Sequence, residues 1–430
     1  AGGMTGQPAH DVRRQRPSFG RRERVAVLVK PRDPERVAVG GRNRWFPVGA
    51  FAIVASVVVV VSVSAHAALP LLHHGHGDHG DWTHAFVWWD GWWYSDIARR
   101  GYFAFSPNRQ SPVAFFPVYP LLMRMVGAVL GRPVTAGVVL SVGFGLGDAV
   151  AFYRWCRNKL GAEKAQLCLL VLLVYPFAFY LMGAVYADGL FLLATLAAFL
   201  ALEADRPVLA GLAAAVATAS RPVGAAVVLG LWVLAAERLG VFDRWSRRHQ
   251  ADAPGLFAPR VKLRLAHAGL LLAPVGLVAY CAYLGQRFGR PLAFIDVAGA
   301  PGWGQSPGPH TWLKVSWFKV MATAPYFDGQ HAHLAGNALA AIVVAAFVPL
   351  VFRKFGLGYG VFATALVLGA AVSTKDFVGM GRYCLAAFPC FAAAGDVLSR
   401  RPRLAVIAIV TCGATLVLLT ELHARGTLVS

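Results

Sequence analysis

Two carboxylates and a dense group of aromatic rings lie in one short stretch of the chain. The stretch runs from Trp88 to Tyr102 and contains Asp90 and Asp96. A carboxylate held beside a substrate can take a proton from a hydroxyl group. The stretch directly follows the first hydrophobic run, so we expect it to lie beside a membrane. An acid among rings at a bilayer surface suits chemistry on a sugar that a lipid carries.

Asp90 is the first candidate for a general base. If the residues after it are helical, Trp93, Tyr94 and Ile97 follow it by three, four and seven positions and share one face of the helix. A carboxylate among these rings would be well placed for proton transfer. Asp is also a good N-cap residue. The spacing alone leaves catalysis and capping open, and one residue can do both.

Asp96 lies on another face of the same predicted helix. It could bind a metal, orient Asp90, or form a surface ion pair with one of the arginines that follow it, and the ion pair is the default for such a position. The tryptophans, Trp89 and Trp93 among them, are typical of the aromatic belt at a membrane interface. We expect one or two of these rings to contact the substrate.

The composition of the chain indicates a membrane protein. Hydrophobic residues make up 57% of it and charged residues only 14%, against about 25% charged in soluble domains. Several apolar runs approach the roughly 20 residues that a helix needs to cross a bilayer. We therefore predict an all-α polytopic membrane protein. The net charge of +20 does not indicate nucleic-acid binding, because the basic residues cluster between apolar runs and in the first 46 residues, as the positive-inside rule predicts.

The pattern of apolar runs and basic connections predicts the organisation of the chain. Residues 1–46 should form a basic, disordered cytoplasmic arm, residues 47–422 the transmembrane domain, and residues 423–430 a short tail. With the arm inside, residues 70–132 form a first extracytoplasmic loop that includes an interfacial helix, and residues 286–335 form a second, large one. The pattern predicts about eleven spans, at residues 47–69, 133–154, 165–182, 188–203, 207–219, 223–238, 267–285, 336–352, 358–374, 383–398 and 404–421.

A histidine-rich run over residues 73–84 has the density of a transition-metal site. Its glycines favour a flexible segment over a preorganised metal centre. We therefore predict no metal ligands there and keep a divalent metal as a minor alternative. The six cysteines lie in or beside apolar segments without metal-ligand spacing. We interpret them as packing residues.

Three polar interruptions fall at the outer ends of predicted spans. They contain Asp188, Arg221, and Arg382 with Tyr383. Ionisable residues at membrane depth are costly and suggest function, and a guanidinium matches the geometry of a phosphate. We expect Arg221 and Arg382 to hold a lipid phosphate. The alternative is that the two arginines tune topology or pair with Asp188 and Asp376.

Five blocks of sequence carry a resemblance to a known family. In chain order they are Trp89-Asp90-Gly91-Trp92-Trp93-Tyr94 with Ile97-Ala98 and Gly101-Tyr102, Ala114-Phe115-Phe116-Pro117-Val118-Tyr119-Pro120-Leu121, Tyr175-Pro176-Phe177 with Tyr186-Ala187-Asp188-Gly189-Leu190-Phe191, Ala219-Ser220-Arg221-Pro222-Val223-Gly224, and the weakest match, Arg382-Tyr383 with Pro389. In this order, across most of residues 85–390, the chain resembles the PIG-V-like mannosyltransferases, which are membrane glycosyltransferases of the GT-C architecture. It departs from the family at Asp188, where Glu is usual, and at Pro222, where Ser is expected.

The resemblance implies a GT-C-like bundle of about eleven helices whose extracytoplasmic loops carry the site. It implies that mannose passes, with inversion, from polyprenyl-phosphate-mannose to a glycolipid or glycoprotein at the outer face of the plasma membrane. Asp90 would then be the base, and Arg221 and Arg382 would bind the donor phosphate without a metal or other cofactor. The remaining substrate-binding candidates are Trp89, Trp93, Tyr94, Asp96, Asp188 and Tyr383.

Three alternatives stay open. The same residues would serve a polyprenyl-phosphate-linked sugar other than mannose, such as arabinose or glucose. A transporter of lipid-linked sugar or solute would use the aromatic loop as a gate, although transporters usually place polar residues near mid-membrane between repeated halves. A non-catalytic partner that only binds lipid-linked sugar would have no need of Asp90.

Overall fold

The computed structural model describes residues 2–3, 44–72, 81–242, 261–323 and 328–429, and this part of the chain contains helices and no strand. The predicted all-α class is therefore confirmed. Most of the predicted basic arm and of the histidine-rich run lies outside these ranges, so both stay predictions. All six cysteines are free, in agreement with their interpretation as packing residues.

The helices follow one another with short connections. The α-helices are α1 (Phe46–Ala68), α2 (Asp90–Arg100), α3 (Val118–Leu130), α4 (Pro133–Leu160), α5 (Ala162–Leu173), α6 (Asp188–Glu203), α7 (Pro207–Thr218), α8 (Ala225–Arg238), α9 (Val275–Phe288), α10 (Ala293–Asp296), α11 (Pro309–Trp312), α12 (Val315–Thr323), α13 (Gly329–Ala346), α14 (Val348–Phe355), α15 (Leu357–Ser373), α16 (Met380–Tyr383), α17 (Phe388–Leu398) and α18 (Pro402–Ala424). The 3₁₀-helices are Trp82–Phe86, Pro112–Ala114, Ala178–Leu181, Pro222–Gly224, Leu265–Leu272, Val297–Gly299 and Cys384–Ala386.

Four helical segments in the described ranges are long and apolar enough to cross a bilayer, namely α1, α4, the continuous pair α13–α14 and α18. The 3₁₀-helix Leu265–Leu272 and α9, bent by 42° at their junction, make a fifth. The chain is therefore a multi-pass membrane protein. The predicted count of about eleven is not confirmed, because α6, α7, α8, α15 and α17 have only 11 to 17 residues and a straight crossing needs roughly 20.

Several predicted boundaries differ from those of the helices, and two of these differences bear on the site. The span predicted over 165–182 ends as a helix at Leu173, because Pro176 cannot continue an α-helix and the chain turns there. The tail predicted over 423–430 begins later, because α18 continues through Ala424. The last turn of α18 is held by tertiary contacts, since the Trp88 Nε1 donates a hydrogen bond to the Ala424 carbonyl at 3.2 Å.

Glycines allow the helices of the bundle to approach closely. A Cβ added at Gly230 of α8 would lie 2.5 Å from the Cβ of Phe362 of α15, a distance that real side chains do not adopt. Small residues are the usual means by which membrane helices bring their backbones together. The α8–α15 contact matters for the site because α15 leads directly to α16, which carries Arg382.

Three helices run in parallel between the two ends of the bundle. α6 begins at Asp188 and ends at Glu203, a length of 16 residues or about 24 Å at 1.5 Å per residue. α4 lies beside it, because Ser141 of α4 donates to the Ala184 carbonyl before the start of α6 at 2.7 Å. At the other end, Lys159 of α4 pairs with Glu203 at 2.5 Å. α8 begins shortly after Arg221 and takes the same direction.

Candidate active site

Asp90 follows a residue in an unusual backbone conformation. Trp89 has φ 54° and ψ −114°, a region that residues other than glycine rarely enter and that clusters at functional sites. The preceding residue is fixed on both sides, because buried Trp88 donates through Nε1 to the Ala424 carbonyl and accepts at its own carbonyl from the Tyr186 hydroxyl at 2.8 Å. These contacts fix the backbone immediately before Asp90.

The alternative N-cap role for Asp90 is not observed. The N-cap of α2 is Trp89, no side chain caps the helix, and Asp90 is the first residue of the helix itself. The Asp90 Oδ2 instead pairs with the Arg382 Nη1 at 2.9 Å. The Asp90 side chain is 32% exposed and the Arg382 side chain only 8%. The carboxylate is therefore accessible to a substrate, while its partner lies inside the protein.

The segment before Arg382 is fixed by residues of an earlier block. The Gly381 N–H donates to the Asn337 Oδ1 at 3.0 Å, and the Gly381 carbonyl accepts from the Tyr175 hydroxyl at 2.9 Å. A Cβ at Gly381 would clash with the ring of Phe177, so the position requires glycine for its small size. The Tyr175-Pro176-Phe177 block thus supports the short helix that presents Arg382.

Three tyrosine rings surround the Arg382 guanidinium. Its central carbon lies 4.8 Å from the ring centroid of Tyr186, 5.1 Å from that of Tyr383 and 5.4 Å from that of Tyr180, within the range of cation–π attraction. In the described part of the chain, the buried Arg382 Nε has no hydrogen-bond partner. The guanidinium therefore keeps an N–H donor that an additional anion could accept from.

A second acid–arginine pair lies next to the first. The Arg221 Nη1 donates to the Asp188 Oδ1, and both side chains are buried. The Tyr383 ring lies between the two arginines, 4.9 Å from the central carbon of Arg221 and 5.1 Å from that of Arg382. The alternative that Arg221 pairs with Asp188 is confirmed. The matching alternative for Arg382 is wrong, because its carboxylate partner is Asp90 rather than Asp376.

Tyr94 lies where the fields of both pairs overlap. Burial raises the pKa of the Tyr94 hydroxyl, and the charges of Arg221, Asp90, Asp188 and Arg382 also act on it. The side chain is therefore a neutral hydroxyl at ordinary pH. Burial acts to lower the pKa of Arg382. The negative charges of Asp90 and Asp188 have the larger effect, so the pKa of Arg382 is raised above its ordinary value.

Trp93 and Asp96, two further predicted site residues in α2, contact groups outside the two pairs. Trp93 stacks on Phe115 with centroids 5.8 Å apart and meets Trp303 edge-on at 6.1 Å. Since Trp303 belongs to the second predicted loop, the two loops are in contact here. Asp96 points elsewhere, because its Oδ1 accepts from the Arg100 Nη2 at 3.4 Å in an exposed ion pair. That surface pair is the default interpretation of its position.

His423 belongs to the same cluster, although the sequence pattern did not single it out. Its ring lies 5.0 Å from the ring of Phe179, 5.6 Å from that of Tyr180 and 6.1 Å from that of Tyr186, between centroids. Both ring nitrogens are buried and lack a hydrogen-bond partner among the residues that the structure describes. The prediction of a tail from residue 423 hid this residue, and no local pattern indicates its neighbours.

The arrangement can do acid–base and anion-binding chemistry. It offers an accessible carboxylate, a guanidinium with an unused donor beside it, and a second arginine across one tyrosine ring. Among the residues that the structure describes, no group of three His, Cys, Asp or Glu side chains is close enough together to hold a metal ion.

No family model and no curated protein sequence matches the chain. In structure it is similar to ArnT from Cupriavidus metallidurans bound to undecaprenyl phosphate, with 15% identity, a TM-score of 0.47, and coverage of 89% of this chain and 76% of that one. It is also similar to the apo form of the Archaeoglobus fulgidus oligosaccharyltransferase, with 13% identity, a TM-score of 0.46, and coverage of 89% and 56%. The chain thus spans little more than half of the oligosaccharyltransferase. With TM-scores below 0.5, these likenesses do not assign a family.

Proposed function

We propose that this protein is an integral-membrane glycosyltransferase of the GT-C type. It would transfer mannose from a polyprenyl-phosphate donor to a hydroxyl group of a glycolipid or glycoprotein at the extracytoplasmic face of the plasma membrane. The observation that carries the proposal is the ion pair between Asp90 and Arg382, in which an accessible carboxylate lies 2.9 Å from a buried guanidinium. The Arg382 Nε is a donor left over for a second anion.

The contacts between the sequence blocks support this proposal. Blocks far apart in the chain meet through Asp90 and Arg382, through Tyr175 and the Gly381 carbonyl, and through the Tyr186 hydroxyl and the Trp88 carbonyl. A set of unrelated apolar motifs would have no reason to converge on one cluster of charges. The choice of mannose rests on the resemblance of these blocks to PIG-V-like mannosyltransferases.

Asp90 would act as the general base. The acceptor hydroxyl gives its proton to the carboxylate while its oxygen forms a bond to the anomeric carbon of the sugar. The bond between that carbon and the phosphate oxygen breaks, and polyprenyl phosphate leaves with the electron pair. Attack from the face opposite the leaving group inverts the anomeric centre.

Arg382 and Arg221 would bind the donor phosphate and stabilise the charge that grows on it as it leaves. In the resting state Asp90 is the partner of Arg382, and the guanidinium occupies one of its two carboxylate oxygens. A phosphate that bonds to the Arg382 Nε and shares its charge loosens this pair. Arrival of the donor would thereby release the lone pairs of Asp90 for the acceptor.

The neighbouring side chains would shape the substrate groove. Tyr94 supplies a neutral hydroxyl between the two pairs, and Tyr383 holds both arginines against its ring. Trp89 and Trp93 present aromatic surface on the loop side, where Trp303 of the second loop extends the wall. Asp188 keeps Arg221 in place, and the exposed Asp96 would contact substrate only at the rim.

The proposal is tested by transfer of labelled sugar. Purified protein in lipid nanodiscs receives radiolabelled polyprenyl-phosphate-mannose and a membrane extract as acceptor, with polyprenyl-phosphate-glucose and -arabinose in parallel. We expect mannose to enter the acceptor fraction and the other sugars to stay on the donor. Transfer of glucose or arabinose instead would show that mannose is the wrong donor sugar. Absence of transfer from every donor would contradict the proposal that the protein is a glycosyltransferase.

A transporter is the second candidate, because of one residue in α4. Asp148 is 1% exposed, and in the described part of the chain neither carboxylate oxygen has a hydrogen-bond partner. Buried carboxyls within spans are typical of proton-coupled transporters. Asp148→Asn separates the two functions. A transporter would lose accumulation of substrate in proteoliposomes, whereas the transferase should keep its turnover.

A further inference from the structure

A cavity lies at the end of the bundle opposite Asp90. Its volume is about 270 Å³, and it opens where α4, α6 and α8 end. Along α6 it is about 24 Å from Asp188, so it shares no residue with the acid–arginine cluster. The cavity is lined by Arg154, Asn158, Lys159, Leu200, Glu203, Ala204 and Arg238.

Three of the lining side chains are cations and one is an acid. The acid, Glu203, uses its Oε1 for two contacts, because that oxygen pairs with Lys159 at 2.5 Å and accepts from the Tyr359 hydroxyl at 2.6 Å. Glu237, which precedes Arg238 in the chain, accepts the N–H groups that begin α15 at 3.2 and 3.1 Å. Arg154 is exposed and has no ion-pair partner among the described residues.

Arg238 supplies the observation that indicates a ligand. It is only 2% exposed, and its Nη1 donates to the Leu202 carbonyl at the end of α6. Its Nε is buried and, across the described ranges, has no hydrogen-bond partner. A buried guanidinium donor without an acceptor destabilises the folded protein, because its desolvation is not compensated by a hydrogen bond. An anion in the cavity would remove that destabilisation.

The C-terminal ends of α4, α6 and α8 account for part of the positive charge around the cavity. Each of the three helix C-termini carries roughly half a negative charge, which favours cations nearby. Such partial charges do not supply an acceptor for the Arg238 Nε, and Arg154 lies before the last turn of α4, where the helix-end charge has fallen off. After Lys159 is assigned to Glu203, two arginines remain for an outside anion.

We propose that this cavity binds a phosphate group through Arg154 and Arg238. The phosphate is either the headgroup of an anionic phospholipid at the membrane surface or a free phosphate ion. Ligand pockets for larger molecules have about 300–1,000 Å³, so the volume here fits a phosphate headgroup better than a nucleotide sugar. The planar guanidinium group of an arginine can donate two parallel hydrogen bonds to the oxygens of one phosphate. This inference does not depend on the proposed glycosyl transfer.

The test compares two cavity variants with a control on the same helix. Arg154→Gln and Arg238→Gln remove the proposed ligands. Arg157→Gln removes an exposed arginine of α4 that does not line the cavity. In the first arm, inorganic phosphate is titrated into delipidated protein in detergent at constant ionic strength, with chloride as reference, and thermal unfolding is followed. In the second, each protein is placed in nanodiscs of phosphatidylcholine with or without phosphatidylglycerol.

We expect phosphate or phosphatidylglycerol to raise the unfolding temperature of the wild type and of Arg157→Gln. Arg154→Gln should weaken the apparent affinity roughly tenfold, because one charge-assisted contact is lost. A response to phosphatidylglycerol alone assigns the site to lipid, and a response to both probes assigns it to phosphate in general. The proposal is overturned if all four proteins respond equally or if the wild type responds to neither probe. Arg154→Gln decides the result if Arg238→Gln fails to fold.

Discussion

The two ends of α6 treat positive charge in opposite ways. At the Asp188 end, each arginine of the cluster has a carboxylate partner, Asp188 for Arg221 and Asp90 for Arg382. At the Glu203 end, three cations and one acid line the cavity, and among the described residues only Lys159 pairs with that acid. A balanced cluster holds its groups in fixed positions without any ligand. Among the described residues the second cluster has excess positive charge, which an anion from outside would neutralise.

This difference has a consequence for binding at each end. A phosphate that arrives at Arg382 competes with Asp90, so its binding is coupled to a change in the state of the carboxylate. A phosphate that arrives at Arg154 displaces nothing. Because Arg154 is exposed, its attraction for an anion should also be screened by salt more strongly than that of buried Arg382.

Removal of one member of the balanced end should have the largest effect on stability. Arg221→Gln leaves the carboxylate of Asp188 buried without its partner, and breaking a buried pair in this way costs about 3–5 kcal/mol. Urea unfolding in detergent measures the loss. The double variant Arg221→Gln with Asp188→Asn should recover part of it, because no unpaired charge remains. Equal loss in both variants would mean that packing, rather than charge balance, holds this end.

A glycine substitution tests how rigidly the balanced end is held. Gly381→Ala places a Cβ against the ring of Phe177 and should cost about 1–3 kcal/mol, as overpacking does. It should also displace Arg382 and lower sugar transfer. The control is Gly369→Ala in α15, where a Cβ meets nothing within 4 Å and helix propensity favours alanine. If Gly381→Ala leaves unfolding and transfer unchanged, α16 is not fixed as the structure indicates.

The smallest effect is expected at the other end. Arg154→Gln removes an exposed cation that has no carboxylate partner in the part of the chain that the structure describes, and such surface changes usually alter the free energy of unfolding by less than about 0.5 kcal/mol. The same urea series measures it beside Arg221→Gln. A loss comparable to that of Arg221→Gln would show that Arg154 already has a structural partner, and the contrast between the two ends would fail.

Local patterns were enough to predict much of the fold. The span predicted over 188–203 coincides with α6, because a polar interruption precedes it and Asp205-Arg206-Pro207 follows. The pattern failed over 165–182, where an apolar composition continues through a turn at Pro176. Hydropathy measures composition, and composition does not distinguish a buried loop from a helix.

The members of the site were predicted better than their pairing. Asp90 was chosen as a carboxylate among aromatic rings beside the first span, and Arg221 and Arg382 were chosen because charged groups at membrane depth are costly. That Arg382 meets Asp90 instead of nearby Asp376 depends on how helices from opposite ends of the chain pack together. His423 was missed for the same reason, since its neighbours lie far away in sequence and no periodic pattern connects them.

In the proposed mechanism Asp90 is a base whose partner, Arg382, also binds the donor phosphate. The direct measurement is transfer and donor binding by Asp90→Asn, with Asp96→Asn of the same helix as control. We predict that transfer by Asp90→Asn falls by about 10²–10⁴-fold, while its affinity for polyprenyl-phosphate-mannose is equal or tighter because Arg382 is no longer shared. Asp96→Asn should retain transfer. Retained transfer by Asp90→Asn, or an equal loss in both variants, would contradict the account.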